Sequence, residues 1–337
     1  MPLVDVLMPL GALPVPLVQR AVASILGQSL ADLRLFVIDD GASAPCLAWL
    51  EQLASADRRV KTIVTTTPGI VGALTAALAH GQAPLVARMD ADDEATPWRL
   101  EQQVRLLQDR PQLDLVSSPV YLEGAAQAGW VRHVAWSNRL LTPEAHASER
   151  FVDAPVVHPT VLMRREAFER WGGYRQGPFA EDYELWLRAM ASGAQLAKIA
   201  APGLMWNRRT ATLTASSSRY SPVAMLQLRA RYLAQELGRR GGRFVVWGAG
   251  ESGRRLLREL EAHGSVPESV YDIDPRKIGR TVRGHRVLSA DQLGSSRPWR
   301  SGVTVVTAVA APGARYLIGA SLSEHGARMG ADWLPAA

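Results

Sequence analysis

Apolar and polar positions along the first hundred residues fall into alternating short runs and helical stripes. Residues 4–8 form an apolar run that predicts a buried strand, closed by Pro9 and a Gly/Pro-rich loop. Apolar residues then recur at helical spacing over 17–26. A second apolar run over 33–38 ends in Asp39-Asp40-Gly41, and 46–54 is again helical. A third run covers 60–64, followed by a glycine-led helix over 69–79. A fourth run over 85–89 ends abruptly in Asp90-Ala91-Asp92-Asp93. Strands that alternate with helices predict an α/β fold with a parallel sheet and right-handed crossovers. Two of these strands end in acids, and in a parallel sheet both ends project from one edge, where open α/β sheets place ligands.

The chemistry at that edge follows from the residue type. Unpaired carboxylates are costly to bury, so they face solvent or a cation. Asp oxygens suit a hard divalent cation and a diphosphate carried by it, while a carboxylate such as Asp39 can accept from nucleotide hydroxyl and imino groups. A turn or capping role is the competing use of Asp39 and Asp40. The helix start near Gly69 can add backbone N–H groups.

Pattern changes after residue 218. Residues 211–221 are Ser/Thr-rich loop, and 222–240 carry helical apolar spacing through Met225, Leu226, Leu228, Leu233 and Leu237. Arg243 to Gly253 then reads as an apolar strand followed by G-x-G-x-x-G at Gly248, Gly250 and Gly253, with a helix over 254–263. The next strand ends at Asp272, 22 positions beyond Gly250, the spacing at which an acid meets a ribose in dinucleotide folds. A later strand over 303–309 and a helix over 313–325 complete a small Rossmann-like unit. The glycines also serve tight strand-to-helix packing, and no catalytic His, Tyr-x-x-x-Lys or Cys follows. A structural or sensing duty therefore ranks ahead of a dehydrogenase; NAD or another nucleotide is the ligand this motif would take.

Composition narrows the class. The 337 residues are 47% apolar and 21% charged, as in globular chains of about two domains. The net charge of +6, mostly Arg, suits anionic partners such as nucleotides or an acidic membrane surface. No dense basic run marks a nucleic-acid patch. The single cysteine, Cys46, excludes an internal disulfide and a Cys-based zinc site, fits a reducing compartment, and is expected to be a small buried hydrophobe. No leader pattern and no apolar run of about 18 residues is present, so a cytoplasmic protein with at most peripheral membrane contact is expected. Ten Trp residues are expected mainly in the core.

Several ordered motifs resemble the inverting family 2 glycosyltransferases of GT-A fold. They are Val37-Ile38-Asp39-Asp40-Gly41, Ala87-Arg88-Met89-Asp90-Ala91-Asp92-Asp93, Pro97-Trp98-Arg99-Leu100-Glu101-Gln102-Gln103, His158-Pro159-Thr160-Val161-Leu162-Met163-Arg164-Arg165, Gly172-Gly173-Tyr174, and Ala180-Glu181-Asp182-Tyr183-Glu184-Leu185-Trp186-Leu187-Arg188. The resemblance implies a GT-A domain over 1–218; the pattern beyond it adds a connecting helix or linker over 219–241 and the Rossmann-like unit over 242–337. It implies a nucleotide-sugar donor, commonly a UDP-sugar, with Mn²⁺ or Mg²⁺. Pro9 and Asp39 would lie against the base. Asp90 would meet the ribose or the metal shell, Asp92 would bind the metal, Asp93 would stand beside it, and Arg88 would balance the carboxylates. His158 is a further candidate contact to metal or diphosphate. Asp182 matches the catalytic base, with Glu181 and Glu184 as weaker candidates. Its position at a helix start equally suits a cap. Trp186 would serve the acceptor or the core.

The chain departs from the family's usual text at Pro9-Leu10-Gly11-Ala12, at Thr67 and at Thr75. It also departs at Met205-Trp206-Asn207-Arg208-Arg209, where Arg208 and Arg209 stand in place of a Tyr-Arg-x-His pattern and can either hold the diphosphate or form a solvated basic turn. The implied acceptor is a saccharide or lipid-linked saccharide of a bacterial surface polysaccharide, met by loops within 122–149, and a homodimer is compatible. The alternative outside catalysis is an inactive transferase domain that acts as a scaffold with a nucleotide-sensing tail. A nucleotidyltransferase is disfavoured because residues 10–16 carry no Lys or Arg.

Overall fold

The computed structural model describes residues 1–124, 127–207 and 217–337. They divide into two compact units. One comprises Met1–Pro143, Val156–Gly177 and Glu181–Ser217; the other comprises Glu144–Pro155, Pro178–Ala180 and Ser218–Ala337.

In the first unit, β1 (Val4–Leu10), β2 (Leu33–Asp39), β3 (Val60–Val64) and β4 (Leu85–Arg88) alternate with α1 (Val15–Leu26), α2 (Ala44–Ala56) and α3 (Ile70–His80). Further along the chain come β5 (Glu94–Ala95), α4 (Arg99–Asp109), β6 (Leu115–Ser117), β7 (Val120–Glu123), α5 (Ala128–Arg139), α6 (Pro143–Glu149, which from Glu144 on belongs to the second unit), β8 (Leu162–Arg164), α7 (Arg165–Arg170), α8 (Glu181–Ala191), β9 (Leu196–Lys198) and β10 (Leu204–Asn207). Among the described residues the main sheet has seven strands in the order β3-β2-β1-β4-β8-β6-β9. The first four are parallel, as the alternation of patterns predicts, and β8 runs antiparallel to both β4 and β6. A small sheet, β5-β10-β7, stands beside it.

The central strands are apolar on both faces because helices cover both. Val4, Val6, Met8 and Leu10 pack with Val18, Val22 and Ile25 of α1 and Leu50 of α2. Leu7 points the other way, into a core with Ile70 and Leu74 of α3 and Leu185 and Trp186 of α8. Asp5 interrupts the run and is fully buried. Arg34 and Arg165 each lie 2.9 Å from it, and its Oδ2 accepts the Ala83 N–H at 2.8 Å. A buried carboxylate survives only with such partners.

Two strand ends differ from the sequence expectation. β1 does not stop at Met8 but continues through Pro9 to Leu10. The Leu7 carbonyl accepts from Met89 on the β4 side, whereas the Leu10 carbonyl accepts from Asp40 on the β2 side. By the two-residue period, Pro9 faces β4, whose pairing has already ended at Leu7 opposite Arg88. Its missing N–H therefore removes no ladder bond. β4 ends at Arg88, one residue earlier than the apolar run.

In the second unit, α9 (Pro222–Arg239) precedes β11 (Phe244–Trp247), α10 (Glu251–Ala262), β12 (Val270–Asp272), β13 (Thr281–Val282), β14 (His285–Ser289), α11 (Asp291–Ser296), β15 (Thr304–Thr307), α12 (Ala314–Glu324) and β16 (Trp333–Pro335). The sheet order is β13-β14-β12-β11-β15-β16. The hairpin β13–β14 was not visible in the apolar pattern. Its turn residues, Arg283 and Gly284, both have positive φ (48° and 83°), the twist that a two-residue hairpin needs. The strand expected over 303–309 shortens to Thr304–Thr307, and the helix expected to start at 254 starts at Glu251, directly after the glycine loop.

Candidate functional site

The parallel register of β1, β2 and β4 brings Leu10, Asp39 and the acids after Arg88 to one edge of the first sheet. Connectivity switches sides between β1 and β4, so the acids flank a topological switch point. Asp39 Oδ1 accepts the N–H groups of Gly41 and Ala42 at 3.0 and 2.8 Å, which shapes the turn into α2. Asp40 Oδ1 accepts the Gly69 N–H at 2.9 Å and so occupies the helix-start donor expected to face a ligand. Both acids therefore have a structural duty. Asp39 keeps Oδ2 as an acceptor, with half-buried Pro9 on the adjoining strand.

The acid loop is organised by two buried arginines. Arg88, 3% exposed at its side chain, forms an ion pair with Asp90, whose side chain is 32% exposed. Arg99 opens α4 and is fully buried; it donates to the Arg88 carbonyl at 2.8 Å and to Gln103 Oε1 at 3.3 Å. Gln103 in turn donates to the carbonyls of Val116 and Thr160 at 2.9 and 2.7 Å. Burial pulls the Arg99 guanidinium down to about 9. The motif from Pro97 to Gln103 does not by itself assign Arg99 and Gln103 a task. Their task is to clamp the strand end from which the acids project.

Asp92 is half-buried and Asp93 is almost fully buried. Asp93 Oδ1 accepts the Asn207 N–H of β10 at 2.8 Å. Its carboxyl is pushed well above the usual carboxylate range by burial, then by Asp90. The bond ties the acid loop to a strand 114 positions away. Arg208 and Arg209, the diphosphate candidates that follow Asn207 in the chain, lie outside the described residues.

Asp182 stands in the first turn of α8 and accepts the Tyr183 N–H at 2.7 Å. Burial, then the adjacent Glu181 charge, raises its carboxyl to about 7. Arg88 opposes that rise, so its field reaches Asp182 as well as Asp90 and Asp93. His158 is buried; its Nε2 lies 2.7 Å from the Tyr174 hydroxyl and its Nδ1 3.9 Å from Glu181. Burial and Arg88 push His158 well below its usual value, so it is neutral. Burial raises the Tyr174 hydroxyl. Glu184 is fully buried and lies 2.8 Å from Arg188, which also donates to the Gly173 carbonyl at 2.7 Å and to that of Trp171. That pairing makes Glu184 a framework acid rather than a base. Trp186 is fully buried in the core.

Among the described residues, no three His, Cys, Asp or Glu side chains converge as a metal group. His158, Asp92 and Asp93 thus do not form one, and His158 is instead held by Tyr174 beside Glu181. The chain's donor set still fits a hard divalent cation. Magnesium-type ions use one or two carboxylates and complete their shell with substrate phosphates and water. Half-buried Asp90 and Asp92 offer such oxygens, and Asp93 Oδ2 is a buried acceptor with no hydrogen-bond partner among the described residues.

In the second unit, Gly248 has φ +135° and a Cβ there would lie 2.7 Å from the Ala308 carbonyl. A Cβ on Gly253 would lie 1.7 Å from the Gly248 carbonyl. Both glycines are therefore required by strand-to-helix packing. Asp272 is buried at the end of β12. Its Oδ2 accepts from the Ala249 N–H at 2.8 Å and Lys277 Nζ at 3.1 Å, and its Oδ1 from the Asp274 N–H at 2.8 Å.

The first unit is thus an α/β domain of GT-A type, with acids at the carboxyl edge of a sheet whose connectivity switches there. Residues 15–172 match the family model Glycosyl transferase family 2. An uncharacterized glycosyltransferase of Haemophilus influenzae is 28% identical over 179 residues, covering 50% of this chain and 54% of the relative. The O-antigen biosynthesis glycosyltransferase WbnJ of Escherichia coli is 27% identical over 175 residues, covering 51% and 66%. The amylovoran biosynthesis glycosyltransferase AmsE of Erwinia amylovora is 31% identical over 133 residues, covering 39% and 47%. The chain therefore spans about half to two thirds of the length of these relatives. A structure of S. aureus TarS 1-349 in complex with UDP-GlcNAc has the same fold, with a TM-score of 0.55 and 14% identity over 79% of this chain and 73% of that one. No helix among the described residues is long and apolar enough to cross a membrane.

Proposed function

We propose that this protein is an inverting, metal-dependent glycosyltransferase. It moves a sugar from a nucleotide-sugar, of UDP type, to a saccharide or lipid-linked acceptor in bacterial surface polysaccharide synthesis at the cytoplasmic face. The observation that carries the reading is the position of Arg88: paired with Asp90, it also acts electrostatically on Asp182. One buried cation thus relates an acid pair suited to a diphosphate to a separate carboxyl suited to proton transfer. The relatives named for O-antigen and amylovoran biosynthesis support the polymer class.

Pro9 and Asp39 bind the donor's base, and Asp90 and Asp92 would hold the cation. A divalent cation bound there would supply positive charge to the diphosphate as it leaves. Asp182 takes the proton from the acceptor hydroxyl as that oxygen attacks the anomeric carbon from the face opposite the diphosphate, which inverts the configuration. A carboxyl held near 7 is a stronger base than an ordinary aspartate. Neutral His158 and Tyr174 keep the surroundings of Glu181 and Asp182 fixed without adding a charge.

The test uses the full chain, Mn²⁺ and a panel of nucleotide-sugars. Asp92→Ala is expected to abolish metal-dependent donor binding. Asp182→Ala is expected to keep donor binding and lower transfer by about 10³-fold or more. Normal transfer by both variants would refute the assignment.

A further inference from the structure

The second unit contains a cavity of about 780 Å³ at the carboxyl edge of its sheet. It opens where the chain leaves β11 and β15, the switch point of that sheet. Its volume lies within the range of small-ligand sites, about 300–1,000 Å³. One wall is apolar, formed by Val309, Ala314 and Ile318. Two large apolar side chains at its rim, Ile273 and Leu317, are 73% and 67% exposed. One directly follows β12 and the other lies on α12, and both present apolar surface to the same cavity. The other wall carries Asp272, Asp274 and Asp291. Asp272 pairs with Lys277 and Asp274 with Arg276, so that wall is rich in acceptors without a large net charge.

The glycine loop adds an independent observation. Gly248 and Gly253 are required by the fold, but Gly250 is not. Its φ is −78°, ordinary for any residue, and a Cβ there would meet nothing nearer than Lys277 Nζ at 3.8 Å. A side chain at 250 would be tolerated by the backbone and would stand in the cavity. What the glycine preserves is open space beside a lysine.

We propose that this cavity binds a nucleoside phosphate. Its base lies between Ile273 and Leu317, its ribose hydroxyls donate to the acidic wall, and its phosphate lies over Gly250 beside Lys277. The inference is separate from the transferase reading: it uses residues of the second unit alone and stands if the first unit binds a different donor.

Calorimetric titration of the full chain carrying Asp92→Ala, in metal-free buffer, tests it with ADP, UDP and NADH as probes. At least one probe should bind saturably with a Kd below about 1 mM. Adding Gly250→Leu should weaken that binding by about tenfold or more at unchanged Tm. Leu317→Glu, at an exposed position that cannot upset the core, should weaken it similarly and decides the matter if Gly250→Leu lowers Tm. Absence of saturable binding by all three probes overturns the proposal, as does binding by Leu317→Glu as tight as that of its parent.

Discussion

Asp182 carries two opposed demands. Its carboxyl is raised from 3.8 to about 7, first by burial and then by Glu181, while Arg88 and the Tyr183 N–H pull it down; His158 and Tyr174 close the surroundings in neutral form. Between about pH 4 and 7 the folded chain keeps a proton that the unfolded chain has lost, so this group's contribution to stability falls as pH rises through that window. Proton abstraction needs the ionised form, so activity should rise through the same window. We expect kcat/KM for transfer to climb with pH and level off above about 7; a flat profile from pH 5.5 to 8 would remove Asp182 as the base. Asp182→Asn should abolish transfer and stabilise the protein at pH 8 by on the order of 1 kcal/mol, the partial exposure of the group discounting its shift. The acids at this scale were legible because each interrupts an apolar run. The His158–Tyr174 contact was not, because neither residue marks the other in the sequence and only the fold closes the gap.

At the scale of elements, α8 shows how one short helix divides labour among its acids. Asp182 and Glu184 are two positions apart and so lie on different faces. Asp182 stays half-buried, whereas Glu184 is enclosed with Arg188. Removing one partner of a buried ion pair leaves the other charge uncompensated, so Glu184→Ala should cost about 3 kcal/mol in urea unfolding. Donor binding by the folded fraction should be retained. A loss of transfer without loss of stability would instead make Glu184 part of the chemistry. Helix spacing made the element predictable, but the choice between two acids depends on what packs against each face. β1 teaches a similar lesson. Pro9 looked like a terminator, yet it sits where the neighbouring strand has already left.

At the scale of the molecule, two α/β units use the same strand-to-helix geometry with different means. The first unit shapes its turns with Asp39 and Asp40; the second uses glycines. Gly253→Ala would place a Cβ 1.7 Å from the Gly248 carbonyl. Hydrogen exchange should therefore speed up in β11 and α10, with β1 and β2 unchanged. Equal protection in the variant would show that the helix can shift to admit a methyl group.

The sequence by itself determined the succession of strands and helices, the single edge at which the acids gather, and the glycine loop of the second unit. These are local properties: periodicity sets which face of an element is buried, and the cost of burying a carboxylate sets where an apolar run must stop. Only the tertiary structure decided that β8, β6 and β9 complete the first sheet, that Asp93 Oδ1 is tied to β10, and that Arg99 clamps the strand from which the acids project. It also decided that Gly250 alone of its three glycines is left over by packing. Each of these depends on how elements pack against one another, and that is decided only once the chain has folded.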